Sequence, residues 1–269
     1  MKKINGVGLT KDGIDLYSKD DFLGMHKAGR LAAQILDEIG EFVYPGQSTS
    51  EIDKIIEDKV NQLGAKSATI GYKGYEHASC ISINHVVCHG IPSDKKLKDG
   101  DILNIDVTVI YDGWYGDTSR MFVAGNLTRK AERLIQITHD ALYKGIDTVK
   151  PGATFGDIGH AIQDFVEKNR MSVVRDFCGH GLGRVFHAPP NVLHYGRPGT
   201  GIRLEEGMFF TIEPMVNLGR PETKLLSDGW TAVTRDKALS AQFEHSVGVT
   251  KDGCEIFTLS PKNRFHPTY

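Results

Sequence analysis

Apolar residues recur at helical spacing in four stretches of the chain, and the stretches come in two pairs. The first runs from about Asp20 to Phe42, with Phe22, Leu31, Ile35, Leu36 and Ile39 forming one stripe. The second covers roughly Ser50 to Leu63, with Ile52, Ile55, Ile56 and Val60. A third, Arg129 to Val149, carries Leu134, Ile137, Ala141, Leu142 and Ile146; a fourth, Phe155 to Asn169, carries Ile158, Ile162, Phe165 and Val166. The two longer helices should stop just ahead of Pro45 and Pro151, because a proline disfavours helical backbone in the residue before it.

The pairing is an internal repeat. Val43-Tyr-Pro-Gly-Gln-Ser-Thr-Ser-Glu-Ile52 matches Val149-Lys-Pro-Gly-Ala-Thr-Phe-Gly-Asp-Ile158, and each copy holds a capping box, Ser48 with Glu51 and Thr154 with Asp157. Further on, Leu97-Lys-Asp-Gly-Asp-Ile-Leu-Asn-Ile-Asp106 matches Leu204-Glu-Glu-Gly-Met-Phe-Phe-Thr-Ile-Glu213. Val87-Cys-His-Gly-Ile-Pro92 matches Val185-Phe-His-Ala-Pro-Pro190, and Asp117-Thr-Ser119 matches Glu244-His-Ser246. All fall in the same order in both copies. The expected architecture is α+β: two pseudo-symmetric halves, about 18–125 and 126–260, closing one antiparallel sheet over a shared cleft, with helices covering it. Residues 1–17 and 261–269 read as tails around a single catalytic domain, 18–260.

From Ile102 to Ile110 the pattern alternates as a strand should, with Leu103, Ile105, Val107 and Val109 on one face and Asn104, Asp106 and Thr108 on the other. Asp112-Gly113 is a hairpin turn signal. A two-residue loop there sets Asp117 opposite Thr108 and diagonal to Asp106, at roughly 7–8 Å between backbones. Carboxylates so placed repel unless cations lie between them, and two divalent ions about 3.5–4 Å apart would serve. Glu213 and Glu244 occupy the equivalent positions of the second half, and His180, in Gly179-His-Gly-Leu-Gly183, completes a five-residue set with small neighbours. His89 and His187 are a second equivalent pair, suited to acid–base or polarising work. His77, His85, His139, His160, His194 and His245 carry less weight. Cys88 beside His89 does not make a cysteine hydrolase, since adjacent residues on an extended chain face opposite ways. Gly179, Gly181 and Gly183 lack the spacing of a dinucleotide fingerprint.

A chain of 269 residues, 40% hydrophobic and 25% charged, can bury a large core without disulfides. Its net charge of -2 offers no field for nucleic acid or anionic membrane. Cys80, Cys88, Cys178 and Cys254 form no CxxC pair, and neither a secretory leader nor an apolar run of membrane length is present, so a cytoplasmic protein is expected.

At these residues the chain resembles the type I methionine aminopeptidases among the pita-bread metallohydrolases. Ser82-Ile-Asn-His-Val-Val-Cys-His-Gly-Ile-Pro92, Asp101-Ile-Leu-Asn-Ile-Asp-Val-Thr108, Gly116-Asp-Thr-Ser119, Thr211-Ile-Glu-Pro-Met215 and Gln242-Phe-Glu-His245 carry the resemblance, from about Asp20 to Pro261. It implies a pita-bread fold with a central dinuclear cleft. It implies Asp106, Asp117, His180, Glu213 and Glu244 as ligands of two divalent ions (Mn, Fe, Co or Zn), with Glu213, His89 and His187 in catalysis. It further implies a methionine pocket of Tyr72, Tyr75, Cys80, Phe186 and Trp230, side chains suited to a thioether, with His89 and His187 also touching substrate. A monovalent cation beside the carbonyls of Asn84, Val86 and Ser240 belongs to the same expectation. The implied activity is removal of the initiator methionine from nascent proteins whose second residue is small, by a monomer acting on N-terminal Met peptides and a candidate for docking on the ribosome. A proline-specific dipeptidase and a non-catalytic nascent-chain binder are the alternatives; a metal count separates the last from an enzyme.

Overall fold

The structure, a computed structural model, describes residues 8–264. All four expected helices form: α1 (Lys19–Ile39), α2 (Thr49–Gln62), α3 (Arg129–Ile146) and α4 (Phe155–Lys168). The longer two end earlier than Pro45 and Pro151 require. After Ile39 the chain tightens into a 3-10 turn, Gly40–Phe42, and α3 stops at Ile146, beyond which the Thr148 hydroxyl donates to the Gly145 carbonyl. Both capping boxes are present, Glu51 accepting from the Ser48 amide at 2.9 Å and Asp157 from the Thr154 amide at 2.7 Å.

The repeat extends to the hydrogen bonds that tie each helix pair to its sheet. Gly46 N–H donates to Leu97 and Leu97 N–H to Gln47; in the second half Gly152 donates to Leu204 and Leu204 to Ala153. Each pair continues as a one-residue bridge, Ser48 with Lys96 and Thr154 with Arg203.

The strands divide into separate antiparallel ladders rather than the one sheet expected. The longest is the hairpin of Asp101–Tyr111 and Trp114–Ala124, flanked by Cys80–Ile83 and Lys66–Ser67. Asp112 and Gly113 both have positive φ (50° and 73°), which makes the two-residue turn, and Thr108 pairs with Asp117 as its register demands. α1 lies close against this hairpin: a Cβ on Gly116 would come within 2.3 Å of the Ala28 backbone. In the second half the corresponding strands are broken. Phe209–Ile212 resumes as Met215–Asn217, and its partner resumes from Ser240–Gln242 as His245–Val249. The ladder splits because Pro214 has no N–H to give and Glu244 N–H goes to Ser119 of the other half.

Each half has its own core. Ile35, Leu36, Ile52, Ile56, Leu103 and Ile105 pack in the first; Leu134, Ile158, Ile162, Phe210, Ile212 and Val247 in the second. The outer face of Asp101–Tyr111 crosses between them: Ile102 enters the second core, Asn104 lies at the seam, and Asp106 and Thr108 face the cleft. The seam is stitched by Asn104 Nδ2 on the Gln242 carbonyl (2.8 Å), the Thr118 hydroxyl on the Glu244 carbonyl (2.7 Å) and the Ser246 hydroxyl on the Asp117 carbonyl (2.6 Å).

The described parts of the expected tails are packed. Ile14 is buried in the second core, and Tyr17 stacks on Phe209 at 4.3 Å while its N–H donates to Gly207. At the other end, the buried Asp37 of α1 takes Arg120 at 2.6 Å, the Ser260 hydroxyl and the Lys262 amide, pinning 260–264 to the helix. Residues 1–7 and 265–269 of the two expected tails lie outside the described residues.

Candidate active site

Asp106, Asp117, His180, Glu213 and Glu244 all line one cavity of about 660 Å³ between the halves. Asp106 and Asp117 come from the regular hairpin. Glu213 and Glu244 sit in the breaks of the second pair of strands, and the register on either side, Ile212 with His245 and Met215 with Gln242, leaves them facing each other. His180 is on the short strand Gly179–Gly181. Ligand atoms of Asp117, His180 and Glu244 lie within 4.8 Å of one another, a buried group able to hold a metal ion. His180 Nε2 is 3.5 Å from Asp117 Oδ2 and 3.7 Å from Glu213 Oε1.

Neighbouring side chains fix these groups. The Thr108 hydroxyl donates to Asp117 Oδ1 at 2.6 Å. Thr211 Oγ1 donates to Glu213 Oε1 at 2.8 Å and accepts from the His180 amide at 3.0 Å, while Gln242 Nε2 donates to Glu213 Oε2 at 3.3 Å. Glu213 N–H donates to His194 Nε2 at 3.0 Å. The sequence marked Thr108 only by its face and its register opposite Asp117, and Thr211 and Gln242 only as members of the motifs around Glu213 and Glu244, without showing that they hold the carboxylates; His194, which it weighted lightly, is wholly buried against the Glu213 backbone.

The electrostatics of the cavity call for positive charge. Burial first, and then Asp117 and Glu213, hold Asp106 well above the usual carboxylate range. Burial and then Asp117, Glu213 and Asp106 do the same to Glu244. Burial raises Glu213 to about 7, against the pull of His180 and Thr211. His180 is raised despite its burial, because Asp117 and Glu213 favour its cation. Asp106 Oδ1 is buried with no hydrogen-bond partner, an expensive state for a carboxylate unless something else satisfies it. Metal–ligand bonds of about 2.0–2.2 Å place neighbouring donor atoms roughly 3–3.6 Å apart, the order of separation between His180 and its two acids. The donor set therefore fits divalent cations.

The remaining expected residues line the same cavity. Tyr75 is buried, its hydroxyl donating to the Ser79 carbonyl at 2.9 Å, and its ring meets Trp230 edge-on at 5.0 Å. Cys80, paired with Asp106 across the ladder, is buried, and burial pushes its thiol up. His89 stands at φ 55°, edge-on to Phe177 at 5.5 Å, and burial lowers its pKa. His187 packs against His180 (4.1 Å), Phe186 (4.1 Å) and Tyr72 (5.2 Å); loss of water contact, then the neighbouring His180, lowers it to about 4. Both are neutral near pH 7 and carry one N–H each. Away from this cavity, Ser240 N–H donates to the Asn84 carbonyl at 2.9 Å, and Val86 pairs with Val233.

The sequence profile of metallopeptidase family M24 matches residues 24–251. The methionine aminopeptidase of Rickettsia prowazekii is 57% identical over 257 residues, 95% of this chain and 99% of that one. Its crystal structure superposes with a TM-score of 0.91, covering 91% of this chain and 100% of that one. The methionine aminopeptidase of Escherichia coli K12 is 55% identical over 248 residues, 91% of this chain and 94% of its own. The prolidase of Pyrococcus furiosus, 22% identical with a TM-score of 0.72 over 90% of this chain and 65% of its own, shares the fold alone. Among the described residues no helix is long and apolar enough to cross a membrane. The chain belongs to metallopeptidase family M24, on its methionine aminopeptidase branch.

Proposed function

We propose that the cavity binds two divalent ions through Asp106, Asp117, His180, Glu213 and Glu244 and hydrolyses the peptide bond after an N-terminal methionine. The single observation that carries this reading is the crowd of buried carboxylates around His180, with Asp106 Oδ1 left without a partner. When bound, such ions supply Lewis acidity and bring the pKa of a water towards neutrality. Oxygen-rich ligation suits Mn, Fe, Co or Zn and does not select among them.

The chain's own groups divide the remaining work. Glu213, fixed by Thr211 and Gln242, takes the proton from the attacking water and hands it to the leaving nitrogen. His187, neutral, donates its N–H to the scissile carbonyl oxygen as charge develops there. His89, also neutral, steadies the tetrahedral intermediate and the departing amine. The substrate's free α-amino group lies beside Asp106 and Asp117, which confines cleavage to the chain terminus. Tyr72, Tyr75, Cys80, Phe186 and Trp230 enclose the methionine side chain.

The natural substrates are nascent proteins whose initiator methionine precedes a small residue, met in the cytoplasm by a monomer, with the ribosome a candidate docking partner. A monovalent cation beside Asn84, Val86 and Ser240 is part of the same reading. The test is to strip the protein with chelator, restore Mn, Fe, Co or Zn singly, and measure free methionine from Met-Ala-Ser, with Met-Arg-Ser and Ala-Pro as controls. Metal-dependent release from the first peptide alone is expected. Release from Ala-Pro moves the chain to proline-specific hydrolysis, and silence with metal bound leaves a binding protein.

A further inference from the structure

His180, His187 and Tyr72 form a continuous wall of the cavity, with ring centroids 4.1 Å and then 5.2 Å apart. The wall continues to Lys73, whose Nζ stands 5.2 Å from the Tyr72 ring centroid. Lys73 lines the same cavity but is itself exposed, so this wall leads from the acidic centre out to the mouth. Tyr75, two residues on, lines the same cavity but is buried against Trp230. The local backbone is built to make that division. Gly71 (φ 83°), Lys73 (φ 48°) and Gly74 (φ 84°) are all left-handed, a tight local path on which Tyr72 meets His187, Lys73 stays exposed and Tyr75 meets Trp230. Among the described residues no carboxylate oxygen lies within 4.0 Å of the Lys73 ammonium, so its charge is available to a ligand. Asp176, an exposed acid that lines the same cavity, is occupied by the hydroxyl (2.6 Å) and amide (3.3 Å) of Thr223.

We infer that Lys73 is a specificity-determining residue that favours substrates with an acidic side chain at their third or fourth position. This rests on the aminopeptidase reading above. With the methionine side chain held at the closed end, the following residues must leave along the open wall. His187 touches the scissile carbonyl in that reading, and two steps of 5.2 Å each lead from it through Tyr72 to Lys73; an extended chain advancing about 3.3–3.6 Å per residue covers them in about three residues at most, which brings the third or fourth position abreast of the ammonium. A solvent-exposed ion pair of this kind changes a rate ratio by about two- to five-fold and weakens with salt.

The experiment uses the metal-loaded full chain and measures kcat/KM on Met-Ala-Ser-Ser with Asp, Ser or Lys substituted at positions three and four. Wild type should favour Asp over Lys by about two- to five-fold at low salt, the ratio falling as salt rises. Lys73→Asn removes the charge with a residue that tolerates the left-handed backbone, and should bring the ratio close to one; Lys73→Glu should invert it. Retention of the wild-type ratio in both variants, or a wild-type ratio of one at low salt, overturns the inference. Cleavage of the neutral peptide by wild type in the same assay separates that outcome from failure of the aminopeptidase reading, in which no peptide of the series releases methionine.

Discussion

The two halves present acids to the same cavity in different ways. In the first, Asp106 and Asp117 project from the middle of an uninterrupted hairpin and stand diagonal to each other. In the second, Glu213 and Glu244 sit opposite each other in the gaps of two broken strands. A regular ladder already fixes a short side chain through the backbone, so Asp suffices there, with the Thr108 hydroxyl donating to Asp117. Where the ladder is broken, the backbone needs outside support. Glu213 takes Thr211 and Gln242 on its carboxylate and His194 on its amide, and Glu244 gives its amide to Ser119 across the seam. The repeat preserved acid chemistry at matching positions while the means of holding it diverged.

The largest expected effect tests whether the halves are equal partners. Asp106→Asn and Glu244→Gln should each lower kcat/KM for a Met-Ala peptide by more than about 10²-fold, beyond the 10–100-fold typical of losing an outer partner. Retained turnover in either, with a full complement of metal, would make that half dispensable. Next in size is core packing. Ile105→Ala and Phe210→Ala should each destabilise by about 2–5 kcal/mol. Because the seam ties both cores together, thermal unfolding should stay a single transition in both variants; two resolved transitions would show the halves to be independent.

The outer partners discriminate between the halves more finely. Thr211→Val removes a donor to Glu213 and the acceptor for the His180 amide, whereas Thr108→Val touches Asp117 alone. Metal affinity by calorimetry should fall about 10–100-fold in Thr211→Val and by less in Thr108→Val, within the range for such groups. Thr211→Ser should restore it, and equal losses would contradict the contrast.

The smallest effects lie at the two helix starts, where the halves should behave alike. Ser48→Ala and Thr154→Ala should each cost about 1 kcal/mol. The Ser48 hydroxyl and amide, then Lys96, hold Glu51 down at about 2, and the Gly199 amide, then Thr154, lowers Asp157. Folded values below unfolded ones mean that this stabilisation is complete above the unfolded pKa of about 4.3 for Glu and about 3.9 for Asp. For Glu51 it is lost as pH falls from there through about 2. Glu51→Gln should flatten the acid limb of a denaturation-versus-pH curve in that window; an unchanged limb would deny the box its role.

Much of this was legible because one turn sets a register. Asp112-Gly113 fixes the hairpin, and with it the diagonal of Asp106 and Asp117. No comparable signal governs Glu213 and Glu244, since residues 218–239 intervene between their strands. Repeat equivalence found the acids but not their direct opposition, which follows from the register on either side of them, nor the break in the ladder there, which follows from Pro214 and from the amide of Glu244 turning to Ser119. His194 was illegible for a similar reason: its ring accepts from a backbone amide brought to it by the tertiary fold. Residues 8–17 read as a tail because Ile14-Asp-Leu-Tyr17 is too short a run to show a period, and much of what buries it comes from distant parts of the chain, Trp114 in the near half and Gly207 and Phe209 in the far one.

The central claim is that both halves together hold two divalent ions. Equilibrium dialysis of chelator-stripped protein against Mn²⁺ measures this directly, with wild type and Asp106→Asn side by side. Two ions per wild-type chain and fewer in Asp106→Asn are the predicted result. No bound ion in wild type, or an identical count in the variant, would contradict it.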